Sequence, residues 1–93
     1  MDNSEDNNTF VAETERREKS IIQKNFRKLS DETKKVAITK IAKAKKESVE
    51  DVSKLTLSEK VDALYDLIKN SKENVVYDTM DTTKLEHLIN CKI

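Results

Sequence analysis

Apolar positions along the chain recur at helical spacing. The firmest case is residues 56–70. Thr56 and Glu59 form a T-x-x-E capping box, and Leu57, Val61, Leu64 and Ile68 follow at i, i+4, i+7 and i+11, with Leu67 beside them. Asn70 stands where a helix lacking a glycine stop is expected to end. Ile22, Phe26 and Leu29 repeat the spacing in a first helix over 10–29, with Glu18 ahead of them on the same face. The earlier half of that helix, Ala12 to Lys19, is charged, with Glu13–Arg17 and Glu15–Lys19 at i,i+4. It buries little, so this helix is expected to project.

Ser30 reads as the N-cap of a second helix reaching about Lys46, with Asp31 and Glu32 in its first turn. Its stripe of Ala37, Ile38, Ile41, Ala42 and Ala44 is narrow and small, which predicts close approach of a neighbouring helix. Ser48 and Asp51 cap a short turn that places Val49, Val52 and Leu55 inward. Asp81 or Thr82 caps a last helix carrying Leu85, Leu88, Ile89 and Ile93. Val75, Val76 and Tyr77 are either a short extended segment or a loop that plugs the core. Met1 to Thr9, acidic and rich in Asn, is expected to be a disordered tail.

Composition sharpens this. The 93 residues include no Gly and no Pro, where an average chain of this length has about eleven of the two together. Tight hairpins are disfavoured, and positions needing φ > 0 should fall to Asn or Asp. A biased base composition in the gene would leave the same gap, so the absence bears on fold class and not on function. The expected fold class is all-α: a bundle of three or four helices, one domain over 10–93, behind the tail. Apolar residues are 35% and charged residues 39% of the chain, against roughly 45–50% and 25% in ordinary domains. The core must be thin, which favours stabilisation by a partner.

The charges are segregated, although the net charge is zero. Residues 23–46 carry nine bases and two acids, a net of +7, between flanks of −3 (1–22) and −4 (47–93). The bases are Lys24, Arg27, Lys28, Lys34, Lys35, Lys40, Lys43, Lys45 and Lys46. Such a block neutralises phosphates, or it is a solvated face that meets acidic segments of this chain or a partner. Eight of the nine are Lys, and no aromatic is interleaved except Phe26, which the apolar pattern claims. Arginine forks and stacking platforms are thus scarce. Ile38 to Leu57 has a faint helix-turn-helix cadence, but Glu50 and Asp51 in its second helix would repel DNA.

Several chemistries are excluded. Phosphate loops need glycine, and one Cys with one His cannot build a Cys/His zinc site. His87 and Cys91 are spaced i,i+4 at the chain's end, with no pocket-forming sequence nearby. They are read as surface neighbours and not as a catalytic pair. No cofactor, metal or small-molecule substrate is expected. No apolar run reaches membrane-spanning length, the acidic start is unlike a secretory leader, and Asp2 stands where myristoylation needs glycine. The expected location is intracellular, cytoplasmic or nuclear.

The capping box with the Leu57–Ile68 helix, the Asn74–Asp78 stretch, and the run from Asp81 to Leu88 look a little like an extra-terminal domain. The likeness covers under half of the chain, and the family's glycine- or proline-bearing turn is absent. It implies that Val75–Tyr77 adds a strand to a partner peptide, beside the plainer reading of a core-packing connector. The function expected from the residues is a non-catalytic protein–protein interaction module, an adaptor or regulatory subunit. Its anchors would be Ile21, Ile22, Phe26 and Leu29, and its partner another protein or a second copy of itself. The alternative is a nucleic-acid-associated protein using the basic block over 24–46 with little sequence preference.

Overall fold

The computed structural model describes the backbone of residues 3–93 and the side chains from residue 12 onward. The elements are α1 (Asn3–Arg27), α2 (Asp31–Lys45), α3 (Val49–Ser53), α4 (Leu57–Asn70), a 3-10 turn (Tyr77–Thr79) and α5 (Thr82–His87), which runs on as a π-helical turn (Leu88–Lys92). No strand occurs among the described residues. The fold is a small all-α bundle, as the periodicity predicts. Met1 and Asp2 lie outside the described residues, and α1 begins at Asn3, earlier than the expected Phe10. The tail expected over 1–9 otherwise falls on residues described by backbone alone.

Local chemistry sets most of the boundaries. The Ser30 hydroxyl accepts the Thr33 N–H, Ser48 accepts that of Asp51, and Asp81 accepts that of Lys84, each closing the first turn of a helix. Thr56 and Glu59 complete the capping box in both directions, at 3.1 and 3.0 Å. The helix ends are less regular. α2 closes in a Schellman motif with Lys46 at φ 59°, and its Glu47 N–H reaches the Ala42 carbonyl at 3.0 Å. α4 includes Asn70 and is capped by Ser71, after which Lys72 takes φ 61°. The two left-handed residues among those described are therefore lysines, not the expected Asn or Asp.

A 25-residue helix is about 37 Å long. It exceeds the two shorter dimensions of the 47 × 28 × 22 Å molecule, so α1 runs along the long axis. It packs on α4, α5 and the 3-10 turn, while α2 packs on α3, α4 and the π-helical turn. The core is Ile22, Phe26 and Leu29 of α1 and its end, Ala37, Ile41 and Ala42 of α2, Val52 of α3, Val61, Leu64, Tyr65 and Ile68 of α4, and Met80, Leu85, Leu88 and Ile89. Two expectations are corrected here. Ala44 is exposed, and so is Val49 at 47%, because a five-residue α3 turns only Val52 into the core. Val75 and Tyr77 pack against the core while Val76 is 61% exposed, so this stretch is a connector that plugs the bundle on alternate residues.

Candidate functional site

The expected docking anchors are mostly interior. Ile22 is fully buried, Phe26 and Leu29 are each 4% exposed, and only Ile21 is half-buried. Periodicity had identified the face correctly, but the cover over it is this chain's own α4 and α5. Ile22, Phe26 and Leu29 are therefore core residues and are not available as anchors for a partner. Ile21 lines a cleft of about 220 Å³ with Tyr77 and Met80, rimmed by Lys24, Lys28, Asp78 and Asp81.

The basic block is a different matter. Lys24, Arg27, Lys28, Lys35, Lys43, Lys45 and Lys46 are exposed, and Lys34 and Lys40 are half-buried. Among the described residues the salt bridges are Arg17–Asp78, Lys19–Asp62, Lys54–Glu50 and Lys92–Glu73, and none involves the nine. Two of the nine nevertheless have internal work. Lys40 donates to the Ile89 carbonyl, tying α2 to the π-helical turn. Lys45 shares a groove with Glu59, Asp62 and Asp66 of α4. The Glu59 carboxyl is held below its ordinary value mainly by hydrogen bonds with Thr56, with the Lys45 charge a smaller cause. The helix-turn-helix cadence dissolves: α3 is five residues long with Glu50 and Asp51 in its first turn.

Arg16 joins this surface although it lies outside the 23–46 block. It is exposed on α1 and makes no salt bridge with the described residues. Helical spacing is the signal that finds it, since Arg16, Ser20, Lys24 and Arg27 recur on one face. Sequence reading also passed over Asn25, which is 7% exposed on the core face. Its amide donates to the Ile21 carbonyl at 3.0 Å and the Met80 carbonyl at 3.3 Å, and accepts from the Thr82 hydroxyl at 3.3 Å. It binds α1 to the start of α5. Such an Asn in an apolar register is the sequence trace of a buried polar tie.

On the opposite side the Tyr65 hydroxyl donates to Glu18, and its ring packs 5.9 Å from that of Tyr77. The Lys19 and Lys69 ammonium groups stand 5.5 and 5.0 Å from the Tyr65 ring centroid. Burial first, then Glu18, pushes the Tyr65 phenol well above its ordinary value; the same causes push Tyr77 up to about 12. Both rings pack into the joint between α1, α4 and the 3-10 turn. His87 and Cys91 are both exposed. Among the described residues no group of three or more His, Cys, Asp or Glu side chains is placed to hold a metal ion, and no buried side-chain nitrogen or oxygen lacks a partner. No helix among them is long and apolar enough to cross a membrane. Comparison with known proteins finds no matching family model, no matching curated protein and no matching solved structure.

Proposed function

We propose that the protein is a non-catalytic binding module that associates with nucleic acid through backbone phosphates, largely irrespective of base sequence. The observation that supports this is the state of the bases between 24 and 46: seven of the nine are exposed, and none is in a salt bridge with a described residue. Bases neutralised within their own fold have little to gain from a phosphate. Bases left in water gain counterion release for each phosphate they meet. The adaptor reading is weaker because its apolar anchors are core, and a protein interface needs a desolvated apolar centre.

Fluorescence anisotropy of labelled duplex and single-stranded DNA and RNA tests the proposal, at about 50 and about 200 mM salt. Binding at the lower salt that weakens by orders of magnitude at the higher is the expected result. No binding at either salt would remove nucleic acid as the partner.

A protein partner is the second reading, favoured by the cleft where Ile21 and Tyr77 remain partly exposed beside the buried Met80. Its signature is the reverse: a complex that tolerates salt and is lost in Ile21→Ser. Self-association of this kind is read by sedimentation velocity across the same two salts.

A further inference from the structure

Arg16, Ser20, Gln23, Lys24 and Arg27 fall on one stripe of α1, which Lys28 continues in the turn just past its end. At 100° per residue they occupy an arc of roughly 140°, opposite Ile22, Asn25, Phe26 and Leu29, which are buried. Gln23 is half-buried and the other five are exposed. Five of the six line an open groove of about 370 Å³ along the last turns of α1 and the residue that follows it. None of the six side chains makes an ion pair or hydrogen bond with the described residues. Between Arg16 and Lys28 no acid lies on the stripe: Glu15 and Glu18 lie on the core-facing side, where Glu18 is bonded to Tyr65. Acids border it instead: Glu13 is exposed on the same arc one turn before Arg16, and Asp78 and Asp81 share the cleft beside Lys24 and Lys28.

The outer face of α2 is not equivalent. Glu32 shares it with Lys35 and Lys43, and Glu47 follows Lys46. Lys40 is committed to Ile89, and Lys45 sits among the acids of α4.

We propose that the outer stripe of α1 is the surface that meets double-stranded DNA, with the helix lying in the major groove and Arg16, Lys24, Arg27 and Lys28 on the phosphates and base edges around it. This rests on the nucleic-acid reading above and names its ligand and its contact element. A helix about 10–12 Å across with its side chains matches a major groove about 12 Å wide. Ser20, small and near the middle of the arc, allows close approach. The stripe has no apolar side chain, so it lacks the apolar centre of a protein interface. A single strand calls for stacking aromatics, but among the described side chains Phe26 and Tyr65 are buried and Tyr77 packs against the core. Duplex RNA hides its major groove from a helix, which leaves B-form DNA.

The test compares the full chain with two variants that each remove four charges. One carries R16Q, K24Q, R27Q and K28Q; the other carries K34Q, K35Q, K43Q and K46Q. Circular dichroism confirms that both keep the helical fold, and anisotropy follows labelled duplex DNA, duplex RNA and single-stranded DNA over a salt series. The α1 variant should lose about 100-fold or more in affinity at the lowest salt, and its log–log salt slope should flatten by about 4; the α2 variant should lose less than about 10-fold. Duplex DNA should bind tightest. Equal losses from the two variants would leave nucleic-acid association standing and remove the stripe as its contact face. Equal affinity for single strands or duplex RNA would overturn the groove placement. A wild-type chain that binds none of the three would overturn both the stripe and the function proposed above.

Discussion

Phe26 carries the difference between a docking helix and a core helix. Its ring is 4% exposed, in one cluster with Leu29, Met80, Leu85 and Leu88. Truncating a buried Phe removes its transfer free energy and leaves a cavity, together about 3–5 kcal/mol, a large share of the ~5–15 kcal/mol that holds a domain together. Phe26→Ala should therefore move the urea midpoint of the whole chain. Lys24→Ala, two residues away on the exposed side, should stay within about 0.5 kcal/mol of wild type. If Phe26→Ala left the midpoint unchanged, its ring would not be part of the core. The spacing of Ile22, Phe26 and Leu29 made their shared face legible, but a periodic face does not say what covers it. That answer came from α4 and α5, whose contact with α1 spans most of the chain. Asn25 was hidden for a related reason: its partners, Met80 and Thr82, lie more than fifty residues away.

At the scale of elements, capped starts were legible, and so were the stops of α2 and α4, at Lys45 and Asn70. The start of α1 at Asn3 was not, nor were the residues that take left-handed backbone beyond the stops. Ser30, Ser48 and Thr56 cap as their sequences announce, and Asp81 is the one of the two candidates, Asp81 or Thr82, that caps α5, because each bond joins a side chain to an N–H three residues on. The backbone just past a stop depends on where the chain must go next, which tertiary packing decides. So Lys46 and Lys72 take left-handed backbone, and Asn70, the residue best suited to it, stays helical. Lys46 completes the Schellman motif of α2 at φ 59°, where its Cβ is crowded. Glycine there removes that crowding. Lys46→Gly is expected to stabilise the chain by about 0.5–1 kcal/mol, read as a rise in thermal midpoint. The larger entropy that glycine brings to the unfolded chain works against the gain. A lower midpoint would mean that the Lys46 stem packs on the surface more strongly than its backbone is strained.

At the scale of the molecule, charge is arranged differently in space than in sequence. The basic surface crosses the boundary of the 23–46 block to include Arg16, while Lys40 and Lys45 turn to the π-helical turn and to α4. The opposite side of α1 is held by an aromatic joint of three elements: Glu18 of α1, Tyr65 of α4 and Tyr77 of the 3-10 turn. Burial and the Glu18 carboxylate favour the neutral phenol at both tyrosines, so the folded chain raises both pKa values, Tyr77 to about 12 and Tyr65 further. A group whose folded pKa exceeds its unfolded value, here 10.0, contributes its full stability below that unfolded value and loses it as pH rises through the folded one. The joint should therefore hold to about pH 10 and fail progressively to pH 12 and above. Lysines discharge over the same range, so helicity alone would not isolate the phenols. Tyrosinate absorbance does, followed beside circular dichroism. Tyrosinate should appear late, and Glu18→Gln, which removes the nearby charge, should bring it forward to lower pH. Two tyrosines titrating near 10 with helicity intact would mean that the joint opens to water without unfolding, and that the apolar core and the Lys19–Asp62 salt bridge hold α1 in place without it.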